Sequence, residues 1–473
     1  MKRLENAFDV ASFRQMGHEM IDMLADQLGD NLERRKERVI TWMEPEAAWE
    51  KWQSDWNNRS ETGTMDFFRE VLQDSIALSH PRYMGHQINP PAPVAALAGL
   101  MSDFLNNGMG VYEMGVVSTT LERLVIHLFL PYFGWEHSGG GFLTSGGTLA
   151  NLTALLAARA HKAPGDIWKN GTGEQLALMV SEEAHYCVDR AARIMGWGAQ
   201  GIIKIPSDAR HGMQTDLLEE YLDRAKASGI RVIAIVGSAC TTSTGTYDDL
   251  EAIGHFARKH DLWFHVDGAH GASAVLSKKY QYLAKGISMA DSIAMDFHKT
   301  LLSPALTTGL FFRDGKQRFG TFVQQADYLF EKQEEDWYNM AKQTLECTKL
   351  MMSLKVYSIC RTLGFDTLEE YIDRVFDQTR HLAALIDGRP GWELKQDPDC
   401  NIVCFRMTGE GDDNELNEFV RKATIQHGKF YLVRTILRGT YWLRCTLTNP
   451  FTTDQDMLDM LGELESYRNQ RQA

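Results

Sequence analysis

Between positions 176 and 312 the chain repeats one arrangement, a short apolar run followed by a helical stretch, and nothing else in the sequence narrows the fold as much. Runs at 176–181, 202–205, 232–237, 262–266, 292–295 and 309–312 read as strands. Strands separated by helix-length segments need crossover connections, so an α/β architecture follows, a mostly parallel sheet with helices on both faces. The last run comes after the short turn Ser303-Pro304, and an antiparallel return is open to it. Downstream, a helical pattern spans about 343–363, and runs at 402–405 and 441–446 alternate with helices as a small C-terminal α/β domain. Upstream, Phe13, Met16, Met20, Ile21 and Leu24 recur at helical spacing over 10–28, giving a helix with one apolar face suited to a partner subunit. Residues 42–56, rich in Trp and Glu around Pro45, read as a connection to a helix at 64–79. The expected division is a helical arm at 1–85, a large sheet domain at 86–343 and a small domain at 344–473.

A chain of 473 residues that is 44% hydrophobic has material for one large core and a smaller one. Its net charge of -14 and pI of 5.6 argue against nucleic acid as a partner, whose phosphates need a basic face. Residues 1–10 lack the apolar stretch of a signal peptide, and no run of about 18 apolar residues occurs, so a cytoplasmic protein with no membrane partner is expected. The cysteines at 187, 240, 347, 360, 400, 404 and 445 form no Cys-x-x-Cys pair and no zinc-like spacing with His. Reduced structural thiols and no metal are the expectation.

Four stretches carry chemistry. In Thr144-Ser145-Gly146-Gly147-Thr148-Leu149-Ala150-Asn151, a Gly-rich turn opens an alanine-rich helix at 152–160, where free N–H groups and the helix dipole suit a phosphate. An ordinary capped turn is the plainer reading, and the lysine of an ATP loop and the spacing of a dinucleotide loop are both absent. Next, Ser181-Glu182-Glu183-Ala184-His185-Tyr186 places His185 at a strand's C-terminal end, where α/β sheets bind ligands. A lone His is more often a satisfied polar residue. The third stretch, Trp263-Phe264-His265-Val266-Asp267-Gly268-Ala269-His270-Gly271, ends a buried strand on Asp267, a costly place for a carboxylate unless a cation meets it. A protonated pyridine nitrogen is such a cation, the small Gly268 and Ala269 leave room for a flat ring, and a helix cap or a metal ligand is the alternative. In the fourth, Ser292-Ile293-Ala294-Met295-Asp296-Phe297-His298-Lys299-Thr300, Lys299 is enclosed by apolar sequence, and burial lowers an amine's pKa toward that of a nucleophile.

A phosphate turn, a strand-end His, an H-V-D sequence and a D-F-H-K lysine, in that order, resemble the group II PLP-dependent decarboxylases, which act on glutamate, aromatic amino acids, sulfinoalanine or 2,4-diaminobutyrate. The likeness runs from the N-terminal arm to Thr448-Asn449-Pro450. It implies the aspartate-aminotransferase-like fold type I, a homodimer, pyridoxal 5′-phosphate as cofactor and amino-acid decarboxylation to amine and carbon dioxide. By the same resemblance Lys299 carries the cofactor as a Schiff base, Asp267 pairs with its ring nitrogen, and His185 and Ala269 cover its two faces. Gly147, Thr148 and His298 hold the phosphate, Thr241 bonds near Asp267 or the ring hydroxyl, and Arg444 binds the substrate's α-carboxylate.

The chain departs from the family at Gly268, often Ala, and at His270, often aromatic. His86 stands where animal glutamate decarboxylases have Gln and, like Asp296, follows the diaminobutyrate type, whereas Val111-Tyr112-Glu113 resembles the glutamate type. An acidic or diamino acid is the expected substrate, with His86 among its contacts; aromatic-amino-acid decarboxylation, a carbon–carbon lyase and an aldehyde synthase are the rivals. The charged stretch 324–340 reads as a surface loop. The resembled family has a lid there whose tyrosine protonates the α-carbon, with Tyr338 the nearest match and Trp337 or Tyr328 the alternatives. A tyrosine that merely packs the loop is an equal reading.

Overall fold

The computed structural model describes residues 2–59, 63–322 and 337–472. They fall into two compact units. One comprises Gln87–Arg380 and Gln396–Val403; the other comprises Met1–His86, His381–Lys395 and Cys404–Ala473. The first break, after His86, lies within one residue of the expected one, and the helix Ser353–Thr362 packs on the helices Pro93–Leu105 and Val116–Phe129 of the larger unit. The predicted helix at 343–363 therefore forms only in its second half; before it, residues 343–352 are irregular and Lys349 is drawn inward by a buried pair with Glu122.

In the larger unit the described strands are β1 (Gly140–Thr144), β2 (Leu176–Ser181), β3 (Ile202–Ile205), β4 (Arg231–Ser238), β5 (Trp263–Asp267), β6 (Ser292–Asp296) and β7 (Thr308–Phe312), ordered β1-β7-β6-β5-β4-β2-β3. From β3 to β6 the neighbours are parallel. Strand β7 is antiparallel to β6, because residues 297–307 are too short for a crossover, and it also pairs antiparallel with β1. Every residue of β2, β5, β6 and β7 is buried, as expected for strands covered on both faces. Alanines 150, 154, 157 and 158 let the helix Gly147–Lys162 lie close on the sheet. β1 gives almost no strand signal, since two of its five residues are glycine, and its pairing with β7 fixes it. The stretch Val116–Phe133 is long and apolar enough to span a membrane by length and composition alone, yet its helix buries Ser118, Thr119 and Glu122 against the fold.

The smaller unit holds β8 (Trp392–Leu394), β9 (Ile402–Met407), β10 (Val433–Leu437) and β11 (Thr440–Thr446), in the order β10-β11-β9-β8. β10 and β11 form a hairpin around Arg438-Gly439, both at positive φ, the conformation that matches strand twist. The N-terminal helix runs Val10–Leu32, capped by the Asp9 side chain, and only Asn31 of it is buried. Residues expected as a connection instead form the helix Pro45–Asn58: Pro45 sits in the first turn, where its missing N–H costs nothing. The next helix stops at Asp74, short of the expected 79, where Ser75 becomes extended.

Candidate active site

The C-terminal ends of β2, β4, β5 and β6 and the turn after β1 deliver the candidate residues of the larger unit. Lys299 lies on the one-turn helix Phe297–Thr300 directly after β6. Its Nζ is 2.9 Å from Asp296 Oδ2, and Asp296 is buried at the strand's last position, with Thr308 Oγ1 donating to its other oxygen. Burial pulls the Lys299 amine down, as expected from sequence, but the Asp296 carboxylate and then Asp267 outweigh it and hold the amine above its usual value. Asp296 is held low: burial opposes its charge, and Lys299 and His298 overcome that. The expectation of a depressed lysine is thus reversed by a carboxylate three residues earlier in the sequence.

Asp267 ends β5, opposite Ser238 of β4 and Ala294 of β6, and its Oδ1 accepts the Ala269 N–H at 3.3 Å. Gly268 does not serve to open space for a ring: a Cβ there would stand 2.9 Å from the Ala294 carbonyl and 2.4 Å from Ala272 Cβ, so backbone packing requires glycine. His185 caps the helix Tyr186–Ile194, its Nδ1 accepting the Cys187 N–H at 3.3 Å. Burial first, then the Lys299 charge, keeps its imidazole below the usual value against the pull of Asp267 and Asp296, so it is neutral near pH 7. Lys299, Asp296, Asp267 and His185 thus form one electrostatic cluster.

At the other side Gly146, with φ 118°, turns the chain into the helix that starts at Gly147, whose first N–H groups have no partner within the helix. A Cβ on Gly147 would meet Asp296 Oδ1 at 3.2 Å and Ala269 Cβ at 3.3 Å, so the turn stands directly against the lysine segment. Free N–H groups at a helix start, a buried carboxylate at a strand end and an enclosed lysine fit phosphate, ring nitrogen and aldehyde of pyridoxal phosphate. His298 has its Nδ1 against the Thr307 backbone, 3.2 Å from the N–H, and its Nε2 3.6 Å from Asp296. Thr241 is buried in the loop after β4, its hydroxyl 2.9 Å from that of Thr244 and accepting the Thr246 N–H at 3.1 Å.

Of the three remaining candidates, His86 and Arg444 belong to the smaller unit and Tyr338 to the larger one. In the smaller unit, the His86 carbonyl accepts from the Tyr83 hydroxyl, and Arg444 is buried on β11. Partial burial, then the charges of Arg444 and Arg421, hold His86 below the usual value, which places these three groups in one field. Tyr338 packs its ring on Tyr112 and Trp337, at 5.5 and 5.6 Å. Trp337 in turn lies under Arg123. Tyr328 and the charged stretch before 337 lie outside the described residues.

A buried chain of hydrogen bonds behind Asp267 escaped the sequence reading. His265, two residues earlier on the same face of β5, bonds through Nε2 to Asn151 Oδ1 and through Nδ1 to Ser292 Oγ, each at 2.8 Å. Asn151 Nδ2 continues to Cys187 Sγ at 3.2 Å. Burial pushes His265 down to about 4, so it stays neutral beneath the carboxylate. Asn151, His265 and Ser292 lie in the phosphate-turn, Asp267 and Lys299 stretches respectively, but only their meeting gives them a role.

A chain with this sheet, this lysine and this strand-end aspartate has the design of a fold type I pyridoxal phosphate enzyme. It belongs to the family described as the pyridoxal-dependent decarboxylase conserved domain, which residues 54–408 match. It is 29% identical over 454 residues to cysteine sulfinic acid decarboxylase of Mus musculus, covering 91% of each chain. The aspartate 1-decarboxylase of Aliivibrio fischeri is also 29% identical, over 83% of this chain and 80% of that one. Among solved structures, the glutamate decarboxylase domain of a diaminobutyrate-pyruvate transaminase and L-2,4-diaminobutyrate decarboxylase from Vibrio parahaemolyticus superposes with TM-score 0.84 at 27% identity, covering 96% of both chains. The chain is a PLP-dependent amino-acid decarboxylase, a carboxy-lyase.

Proposed function

We propose that the substrate is an acidic L-amino acid, with a diamino acid the second choice and an aromatic one disfavoured. The observation that carries this reading is the shared field of His86, Arg421 and Arg444, which suits a substrate with two carboxylates better than one with an extra ammonium or a phenyl ring. The names of the cysteine sulfinic acid and aspartate decarboxylase relatives support it. When bound, pyridoxal phosphate supplies an electron sink for the electrons of the broken Cα–carboxylate bond. Lys299 would hold the cofactor covalently through its amine. Asp267 would pair with the protonated ring nitrogen, and His185 and Ala269 would flank the ring. Gly147, Thr148 and His298 would hold the phosphate, Thr241 would bond near Asp267 or the ring hydroxyl, Arg444 would bind the substrate's α-carboxylate, and Tyr338 would be the proton donor to the α-carbon. The enzyme works in the cytoplasm as a homodimer, for which the exposed apolar side chains of the N-terminal helix and of Pro93–Leu105 speak.

The test is a competition panel with the cofactor present, scoring carbon dioxide and amine from L-aspartate, L-glutamate, L-cysteine sulfinate, L-2,4-diaminobutyrate, L-tyrosine and L-DOPA. An acidic member should give the highest kcat/KM. An aromatic member in first place would overturn the substrate reading, and aldehyde in place of amine would move the chain to the aldehyde-synthase rival.

A further inference from the structure

Among the described residues, Cys240, His270 and Cys400 form a second group, none of whose members belongs to the set Lys299, Asp296, Asp267 and His185. Their ligand atoms, two sulfurs and one ring nitrogen, lie within 4.8 Å of one another, and all three residues are buried. Cys240 is in the loop after β4, His270 in the loop after β5, and Cys400 in the segment that precedes β9, so three distant stretches of the larger unit meet here.

We propose that these side chains form a binding site for a thiophilic d10 cation, zinc in the first instance. Two Zn–S bonds of about 2.3 Å at a tetrahedral angle set the sulfurs about 3.8 Å apart. Here the Cys240 and Cys400 sulfurs are 3.6 Å apart, close to that edge and far from the roughly 2.05 Å of a disulfide. The histidine is prepared for the same task. Its Nε2 is 2.7 Å from Asn401 Oδ1, an oxygen that can only accept, so the proton sits on Nε2 and the Nδ1 lone pair is left for a metal. That Nδ1 is buried and meets no hydrogen-bond partner. A side-chain oxygen fixing one nitrogen while the other faces a metal is the usual outer arrangement of histidine ligands. Space exists beside one sulfur, since Gly245 lacks the Cβ that would stand 2.5 Å from Cys400 Sγ. Zinc binding would release one proton from each thiol to solvent, and two thiolates with one Zn²⁺ are neutral in sum, as burial requires. Three protein ligands leave a fourth position to a water molecule. The consequence is a clip on the loop that carries Thr241, tying it to the segment after Asp267.

The purified holoenzyme, loaded with equimolar zinc chloride and desalted, is measured for metal per chain by inductively coupled plasma mass spectrometry. One zinc per chain is expected, with a rise in melting temperature of about 2–5 °C. The Cys240→Ser/Cys400→Ser variant should hold none, while Cys347→Ser, at an exposed thiol, keeps the parental value. Cobalt(II) loaded into the unaltered protein should give an intense sulfur-to-cobalt charge-transfer band, a readout that needs no variant to fold. Zinc missing from the parent, zinc retained at parental level by the double variant, or a Cys240–Cys400 disulfide in the unreduced protein would each overturn the site.

Discussion

At the scale of single residues, the charges around Lys299 decide what the site can do. Asp267 has its side chain bonded to one backbone N–H, and its proposed task depends on a full negative charge. Asp267→Asn keeps the shape and removes the charge, so the protein should fold with an unchanged melting curve while kcat falls about 10²–10³-fold, as for loss of a preorganised electrostatic partner. Turnover close to the parental rate would remove Asp267 from the mechanism. Asp296 makes a different prediction, because its pair with Lys299 stabilises the apoenzyme. The lysine is held high, so its share is present at neutral pH and lost as pH rises through its raised value; the aspartate is held low, so its share is lost only as pH falls below the ordinary carboxylate range. Asp296→Asn should therefore lower the apoenzyme's unfolding free energy by about 2–3 kcal/mol near neutrality, measured in urea. No loss there would show that the pair contributes nothing.

At the scale of elements, the smaller unit is tied by a carboxylate. Asp456, near the start of the helix Asp454–Gln472, binds Arg34 after the N-terminal helix at 2.6 Å and Arg82 at 3.3 Å, and accepts the Thr453 N–H at 3.0 Å. Burial alone would raise its pKa, but the Arg34 guanidinium and Thr453 bring it to about 2. A lowered carboxylate stabilises above its unfolded value and loses that contribution as pH falls through the folded one. Asp456→Asn should destabilise by about 1–3 kcal/mol at neutral pH, and the gap in melting temperature between variant and parent should close as the pH approaches 2. A gap that stays constant on acidification would refute this tie. Elements also show where pattern reading fails. Pro45 looked like a breaker and is a helix start, and residues 343–352 have helical composition but are drawn out of register by the Lys349–Glu122 pair.

At the scale of the molecule, apolar surface remains uncovered. Phe8 is 81% exposed, Phe13 55% and Phe104 70%, with Leu100 and Met101 beside the last on Pro93–Leu105. On Pro93–Leu105 of the larger unit these side chains recur at helical spacing, an exposed apolar face of the kind that suits the proposed second copy. Light scattering should give the mass of two chains for the parent, and Leu100→Glu/Phe104→Glu should shift it toward one chain with a loss of activity. A parent that is monomeric and fully active would end the homodimer proposal. The sequence by itself determined the strands β2 to β7 of the large sheet, since strands covered on both faces are written as apolar runs, and it determined the local motifs, since a phosphate turn, a strand-end aspartate and an enclosed lysine are each written in a few adjacent residues. Tertiary structure alone decided what those residues meet. The raised lysine depends on how close the Asp296 carboxylate comes, the Asn151–His265–Ser292 chain crosses three elements, and Cys240, His270 and Cys400 converge from loops far apart. Periodicity reports which face of an element is apolar; it carries no distance between side chains on different elements, and charge interactions and metal coordination depend on that distance.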